Sequence, residues 1–598
     1  MDKKTTLGFV LIGIVLMIWM WQQAPPPATQ VAGTQDSLQQ RTLPAKDSLV
    51  EQRAPAAKVA EPAALADSLG RFFAGRETGA EKVITIKTDL YTAEITTKGG
   101  LLRKWELANF KTWDKHPVQL VDYDGGGDLS VLFTSTDGRL INTRELYFEC
   151  AYTPWQSVEL KGDEKFTVEL SVRAGTAGRL IKRLTFENGK YSFDCDFVFR
   201  GMDSVVSNFE YEILWERGLR YAEENSVDES SYAMAYAYSG GELAEVDATK
   251  PGEVVKEDIN GATNWVATRS KYFLVALLAD EGSTQGAYLE GHRSQLADKG
   301  EMETYSIALK MPFRGGKEES SHISVYAGPL DYDIVKSYGR NLQETMNLGA
   351  AWIIRPISEY VMIPLFTLLH SFIPNYGIVI IVFSIIIKIA LHPLTRSSMR
   401  SMKRMQALSP LLSEVKAKYK DNPEKMNQQV MNLYKEYGIN PAAGCLPLLL
   451  QMPILFALWA VLRSSIDLRQ AGFAGWIQDL SIPDTVLTLP FTVPFFGITM
   501  VSGVALAMGV TMFVQQKMST TDPRQKAMIW MMPILMTLIF NNLPSGLNLY
   551  YFVFNILSIG QQMWINKQHG DEPLRKVDPK KRNTGIMAKL TKDMPKMR

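Results

Sequence analysis

The sequence predicts an α-helical polytopic membrane protein, an N-terminal anchor plus a five-helix core, with a periplasmic all-β sandwich-like domain and a cytoplasmic helical hairpin. Three observations predict this. The second half of the 598 residues holds several apolar runs near the roughly 20 residues that a bilayer crossing needs. Residues from about 80 to 340 carry β-branched side chains at alternating positions. Lysine and arginine are shared unequally among the connecting segments. The averages, 21% charged residues and a net charge of +1, describe neither half, and the length exceeds what one hydrophobic core serves.

Lys3-Lys4 precede an apolar run from Leu7 to Trp21. Gln22, Gln23, Ala24 and Pro25 to Pro27 follow it in place of a small-residue cleavage pattern, so residues 1–21 are predicted as an uncleaved signal anchor with the N-terminus in the cytoplasm. Residues 22–80, rich in Ala, Pro, Gln and Ser, cannot bury enough surface to fold and are predicted as a linker. Residues 81–345 form the predicted antiparallel β domain. Val83-Ile84-Thr85-Ile86-Lys87 and Thr167 to Val172 alternate as strands do, and two runs within Arg179 to Arg200 flank Asn188-Gly189, a strong hairpin signal. A short helix is expected near Asp331 to Tyr338. Cys150, Cys195 and Cys445 make neither a disulfide framework nor a metal-ligand spacing. Cys150 and Cys195 either pair in an oxidising compartment or are simply buried. No metal and no cofactor is expected.

Residues 346–373 read as an interfacial amphipathic helix, because the apolar stretch Trp352 to Phe372 includes Arg355, Glu359, Pro364 and His370. Residues 374–566 supply five crossings, near Tyr376–Leu394, Pro441–Leu462, Ile498–Gln515, Gln525–Asn541 and Gly546–Asn566. Charge orients them. Residues 395–440 hold nine Lys/Arg against four Asp/Glu, and residues 463–497 hold two against three. The first segment is therefore cytoplasmic, the second periplasmic, both termini are inside, and the β domain is outside. Residues 395–440 look like a helical hairpin. Met402, Met405, Leu408, Leu412, Val415 and Tyr419 recur at helical spacing, Asp421-Asn422-Pro423 turns the chain, and Met426, Val430, Leu433 and Tyr437 resume the pattern, with Pro410 kinking the first arm. Residues 567–598 form a basic cytoplasmic tail.

Polar groups inside apolar helices must face protein or water. Ser384, Lys388 and His392 fall four apart on one helical face, and Lys388 precedes Arg396 by eight residues, placing it roughly 12 Å inward at 1.5 Å per residue. In the last crossing Asn548, Tyr551, Asn555, Ser558 and Gln562 repeat at three and four, which draws a polar stripe. A lysine on one helix and a polar stripe on another suit a wetted cavity open to the cytoplasm. None of the five crossings contains Asp or Glu, which counts against an ion-coupled transporter. GxxxxGK[ST], HExxH and GxSxG are missing, so neither ATP use nor hydrolysis is indicated. His116, His292 and His322 show no usable spacing for a sugar-acting enzyme. Met500, Met508, Met512, Met528, Met531, Met532 and Met536 crowd the third and fourth crossings, where flexible thioethers either accept many apolar partners or fill gaps between helices.

Asn440-Pro441-Ala442-Ala443-Gly444-Cys445-Leu446-Pro447 with Gln451-Met452-Pro453-Ile454, Leu543-Pro544-Ser545-Gly546-Leu547 through Tyr550-Tyr551, and His392-Pro393-Leu394-Thr395 resemble signatures of the YidC/Oxa/Alb insertase family. The likeness covers about 350 to 568, and the flanking regions match the Gram-negative layout. It implies a protein that assists insertion and folding of inner-membrane proteins, alone or with the Sec translocon, and is no enzyme. It further implies a positively charged groove with a hydrophobic slide beside it, lined by Lys388, Ser384, Tyr551, Tyr550, Asn548, Asn555, Gln451, Met452, Leu455, Met508 and Met512. Implied partners are nascent membrane proteins, the Sec translocon, the ribosome, the signal recognition particle receptor and membrane lipids. Lys403, Arg404, Lys580, Lys581 and Arg582 are the expected ribosome contacts. Two departures stand out: Lys388 replaces the usual arginine, and Asn542 replaces an aromatic residue. A small-solute transporter or channel is the rival reading.

Overall fold

Alternating side chains make strands, and a strand covered on both faces reads as an unbroken apolar run. Phe273–Ala279 is such a run, with every residue buried. It lies inside an eight-stranded sheet of order 242–246, 234–239, 263–269, 273–279, 318–329, 192–200, 178–187, 165–174. The computed structural model describes residues 69–297, 300–420, 422–439, 446–494, 496–519, 526–568 and 576. The predicted anchor, most of the linker and nearly all of the basic tail lie outside these residues. The chain divides into two compact units between Met346 and Asn347.

In the β-rich unit a five-stranded and a six-stranded sheet pack on one face of the large one. Trp105, from the five-stranded sheet, stacks on Tyr91 at 3.8 Å, meets Phe193 at 5.4 Å, and its Nε1 donates to the Ala327 carbonyl at 2.9 Å. Tyr211, from the six-stranded sheet, meets Phe199 at 4.6 Å and donates to Ser321 Oγ at 2.5 Å. The opposite face is covered by α1 (Tyr332–Ser337) and the residues after it. Asp331 caps α1, Trp265 Nε1 donates to Arg340 O at 2.8 Å, and Arg269 Nη1 donates to Thr345 O at 2.7 Å. The wholly antiparallel expectation needs correction, because Ile84–Lys87 pairs in parallel with Gln156–Glu159. The 178–187 and 192–200 strands do form a hairpin. Their loop is longer than a two-residue turn, since Asn188 is used to fasten Asp89 through N–H and carboxylate contacts of 2.9 and 2.7 Å. Cys150 and Cys195 are free thiols, and burial pushes the Cys195 thiol up to about 12.

The second unit is helical. Ile354–Ile357, a π turn at Ser358–Met362 and α2 (Ile363–Phe372) run in succession. Pro364 has no N–H for the fourth carbonyl back, which accounts for a widened turn there. Buried Ser358 ties the π turn to Leu348 O at 3.0 Å, while Trp352, Tyr360 and Phe372 are exposed. Next come α3 (Tyr376–Ala390), capped by Asn375, then α4 (His392–Ala407), α5 (Ser409–Lys418) and α6 (Pro423–Glu436), capped by Asn422. Pro410 marks the break between α4 and α5, which is the single residue Leu408, itself in right-handed helical conformation. Leu408, Leu412 and Ile439 form the hairpin's small core, packed by Met405, Leu411, Val430, Leu433, Tyr434 and Tyr437.

The remaining helices are α7 (Leu446–Ser464), α8 (Gly503–Ser519), α9 (Lys526–Phe540) and α10 (Ser545–Gln568). One expected crossing is misplaced at its start. Ile498–Val501 is a strand paired with Leu487–Val493, and α8 begins only after Ser502, whose Oγ accepts the Ala505 N–H at 3.0 Å. Among the described residues no helix is long and apolar enough to cross a membrane. The described parts of α3 and α9 have 15 residues each, and the 24 residues of α10 include the polar stripe.

Candidate functional site

The chemistry-bearing side chains of the helical unit gather where α3 and α10 meet. Lys388 enters this seam from the last turn of α3. It is 8% exposed, its Nζ donates to Ser558 Oγ at 2.6 Å, and it rides over the Phe554 ring at 4.4 Å. Among the described residues it has no carboxylate partner. Ser384, one turn earlier and fully buried, donates to the Ile380 carbonyl at 2.7 Å and so is satisfied within its own helix. One turn later, His392 Nδ1 lies 3.0 Å from Gln561 Nε2, which also donates to Thr395 Oγ1 at 3.1 Å. Trp564 closes this end, with its ring 6.1 Å from His392 and 6.0 Å from the Arg396 guanidinium.

The polar stripe of α10 does not act as one surface. Phe554, Ser558 and Gln561 face α3 and α4. Asn555 turns instead towards α8, with Nδ2 at 3.4 Å from Thr511 Oγ1. Asn548 donates to the Phe540 and Leu543 carbonyls at 3.1 and 3.4 Å and so closes the end of α9. Gln562 donates to Asn566 Oδ1 at 3.1 Å. Asn548, Asn555, Ser558 and Gln562 are all buried. Tyr551 is half-buried, edge-on to Phe540 at 5.1 Å and to Tyr550 at 5.4 Å. The side-chain hydroxyl of Tyr550 and the oxygens Asn548 Oδ1, Gln561 Oε1 and Gln562 Oε1 are buried without a hydrogen-bond partner among the described residues. Buried polar atoms without a partner are uncommon in folded proteins.

Gln451, Met452 and Leu455 are half-buried on α7. On α8, Met508 is buried and Met512 half-buried. Sequence reasoning missed Phe554, Gln561 and Thr511. Phe554, Ser558 and Gln561 recur at four and three, a helical phase offset from the polar stripe. That phase was readable, but its aromatic member hid it. Lys403 also reaches α10. Its Nζ donates to the Asn566 carbonyl at 3.1 Å, closing the last turn of α10, and neighbouring Gln406 donates to the Met518 carbonyl of α8 at 3.3 Å. A cation at a helix C-terminus complements the helix dipole. Arg404 is exposed, and Lys580, Lys581 and Arg582 lie outside the described residues. In the β-rich unit the histidines are spoken for or isolated: His116 pairs with Asp114 and His322 with Asp196.

The helical unit thus buries the Lys388 ammonium between α3 and α10, with no carboxylate beside it among the described residues. The family described as 60Kd inner membrane protein matches residues 368–572, and that of the YidC periplasmic domain matches residues 83–359. A membrane protein insertase YidC from Chloroherpeton thalassium is 39% identical over 581 residues, covering 96% of this chain and 97% of that relative. Another from Chlorobaculum parvum is 38% identical over 576 residues, with 96% of each covered. A crystal structure of an active YidC insertase with its first transmembrane domain resolved is similar with a TM-score of 0.35 and 19% identity, over 81% of this chain and 93% of that one. The chain belongs to the YidC family of membrane protein insertases. It is an insertase rather than an enzyme, of an inner-membrane family, with a β-rich periplasmic domain.

Proposed function

We propose that the seam between α3 and α10 receives the polar tail of a nascent membrane protein while the client's apolar helix passes into lipid alongside α7 and α10. The observation that carries this is Lys388: a buried ammonium held by a hydroxyl and a ring, with no acid beside it among the described residues. A carboxylate arriving from a client would complete it. The unmatched polar atoms of α10 would take up the tail's remaining hydrogen bonds. No fuel is required. Burial of the client's apolar helix supplies the drive, at about 25 cal/mol per Å².

In this reading the bundle spans the inner membrane, with the α4–α6 hairpin and both termini cytoplasmic, which accords with the excess of Lys/Arg in residues 395–440. The Sec translocon, the ribosome and the signal recognition particle receptor are partners on the same reading, with Arg404 and the basic tail offered to ribosomal RNA. Site-specific crosslinking from Tyr551 during synthesis of a small membrane protein tests the proposal. Adducts with the client's apolar segment are expected. Crosslinks to lipid and to the chain's own helices alone would refute it.

A further inference from the structure

The segment ahead of α8 has no task in the reading above. From Thr485 to Gln516 the chain contains no Lys, Arg, Asp or Glu, yet only its second part is helix. Its first part is the hairpin of Leu487–Val493 and Ile498–Val501. The nearest preceding charge, Asp484, is turned inward. It is 5% exposed, accepts the Val504 N–H at 3.1 Å and Trp476 Nε1 at 2.8 Å, and also accepts the Ser502 hydroxyl. Trp476 and Val486 lie so close over Gly503 that an added Cβ would stand 2.7 Å from Val486 Cγ1. The hairpin base, the Trp476 ring and the first turn of α8 therefore share one level.

Above that level the hairpin leaves apolar side chains more than half uncovered among the described residues: Leu487 is 58% and Phe491 61% exposed, and Trp476 at its base is 55% exposed. The 17 residues of α8 extend about 25 Å at 1.5 Å per residue, short of the roughly 30 Å of bilayer hydrocarbon. An uncharged apolar hairpin continues the helix where its length runs out.

We propose that the 487–501 hairpin is a lipid contact, lying at the headgroup–acyl boundary of the leaflet that faces the N-terminus of α8. This rests on the reading of the helical unit as membrane-embedded. Depth follows from the backbone. The ladder pairs Leu487 with Val501, Thr488 with Met500 and Val493 with Ile498, and it is interrupted across Leu489–Thr492, where Pro490 offers no N–H. Unpaired backbone groups are not tolerated in hydrocarbon but are satisfied by water and headgroups. Aromatic rings prefer the same boundary, so Phe491 and Trp476 fit it while the strand edges stay wet.

The experiment is depth-resolved quenching on the full chain in phosphatidylethanolamine–phosphatidylglycerol vesicles. A fluorescent non-canonical amino acid replaces Phe491, exposed Val510 of α8, or exposed Trp155 of the β-rich unit, one at a time. Quenchers are a nitroxide near the lipid headgroup, a nitroxide near the chain end, and aqueous iodide. Position 491 should be quenched about threefold more by the shallow than by the deep nitroxide, and should be shielded from iodide relative to position 155. Iodide access at 491 equal to that at 155 overturns the proposal, as does stronger quenching from the deep nitroxide. Protection from all three quenchers also overturns it, since the hairpin is then covered by protein, such as a second copy. Position 510 separates the two readings. Deep quenching there with an iodide-accessible 491 removes the lipid contact alone, whereas loss of deep quenching at 510 removes the membrane-embedded reading and the lipid contact with it.

Discussion

Replacing Lys388 with alanine removes the ammonium and leaves Ser558 and Phe554 in place, so it isolates the charge. Two unit charges 4 Å apart at an effective dielectric of 20 attract by about 4 kcal/mol. A client carboxylate must leave water to gain this, and desolvation takes back a large part, so about 1–2 kcal/mol per acidic residue remains, close to tenfold in partition. The assay is insertion of one small client whose N-terminal tail carries no, one or two acidic residues, against stably expressed variants. Lys388→Ala should leave the neutral tail nearly unaffected and lose about tenfold with the acidic tails. Lys388→Arg should retain the parent's order, because charge at that depth is preserved even though the planar guanidinium differs in shape. Lys388→Glu should reverse the order by repulsion. A lysine that merely reached for headgroups would make alanine silent. Its burial at 8% exposure and its 2.6 Å bond to Ser558 argue against that role. Equal insertion of all tails by the alanine, glutamate and parent proteins would refute the reasoning.

Asp484→Ala strips the acceptor from the Ser502 hydroxyl, the Val504 N–H and Trp476 Nε1 together. A destabilisation of about 2–4 kcal/mol is expected, read as a lower thermal midpoint in detergent and faster amide exchange at Val504 and Ala505. In the β-rich unit, burial pulls Lys182 down to about 8 from 10.5 while it donates to the Gly100 and Leu129 carbonyls. The unfolded chain then binds more protons between those values, so stability should rise with pH from about 8 to 10.5, by roughly 3 kcal/mol at most, and be flat below pH 8 on this account. Denaturant titrations of parent and Lys182→Met proteins across that window check it, the variant being expected to lose the slope. Lys403→Ala should loosen the last turn of α10 by about 0.5–1 kcal/mol, visible as faster exchange near Asn566, because it removes a C-terminal cap. Neutralising Lys580, Lys581 and Arg582 should weaken ribosome co-sedimentation and flatten its salt dependence; unchanged binding would remove the tail from that role.

Much of the architecture was legible because its signals are local. Alternation marks the strands, Asn375, Asn422 and Asp331 announce helix starts through their side chains, and Pro410 separates two helices. What escaped depends on partners distant in sequence. Ile498–Val501 reads as the start of a crossing since four apolar residues carry no usable period, and pairing with 487–493 decides the matter. Ser502 did hold the cap signal, but an apolar run on either side masked it. The stripe from Asn548 to Gln562 was visible as a period, yet periodicity cannot say which neighbour each member meets. Asn555 found Thr511 and Asn548 found the end of α9, leaving Ser558 to serve Lys388 with Phe554 and Gln561. Lys403 makes a bond that charge alone does not show, since the carbonyl at the end of α10 comes within its reach only in the folded chain.

The unmatched atoms on α10 have a chemical bias that the buried cation sharpens. Three of the four, Asn548 Oδ1, Gln561 Oε1 and Gln562 Oε1, are amide oxygens, and the fourth is the Tyr550 hydroxyl. Amide oxygens accept from backbone N–H groups, and an ammonium accepts no proton but donates to carboxylates. An extended acidic tail offers both at once, one N–H per residue along its backbone and a carboxylate on the side chain. A cation such as sodium would also be drawn to the oxygens but would be repelled by Lys388, and a free anion would be drawn to Lys388 but find nothing in the oxygens. The combination therefore favours a polypeptide over either ion. It also explains why tail length should matter alongside charge. Lys388 meets Ser558, while Gln561 and Gln562 stand one turn nearer the C-terminal end of α10, so a tail too short to pass those amides on its way to the ammonium forfeits their hydrogen bonds. Shortening the tail at constant charge should then lower insertion in the parent and lower it less in a Gln561→Leu/Gln562→Leu variant. An identical length dependence in both would show that these amides do not meet the client.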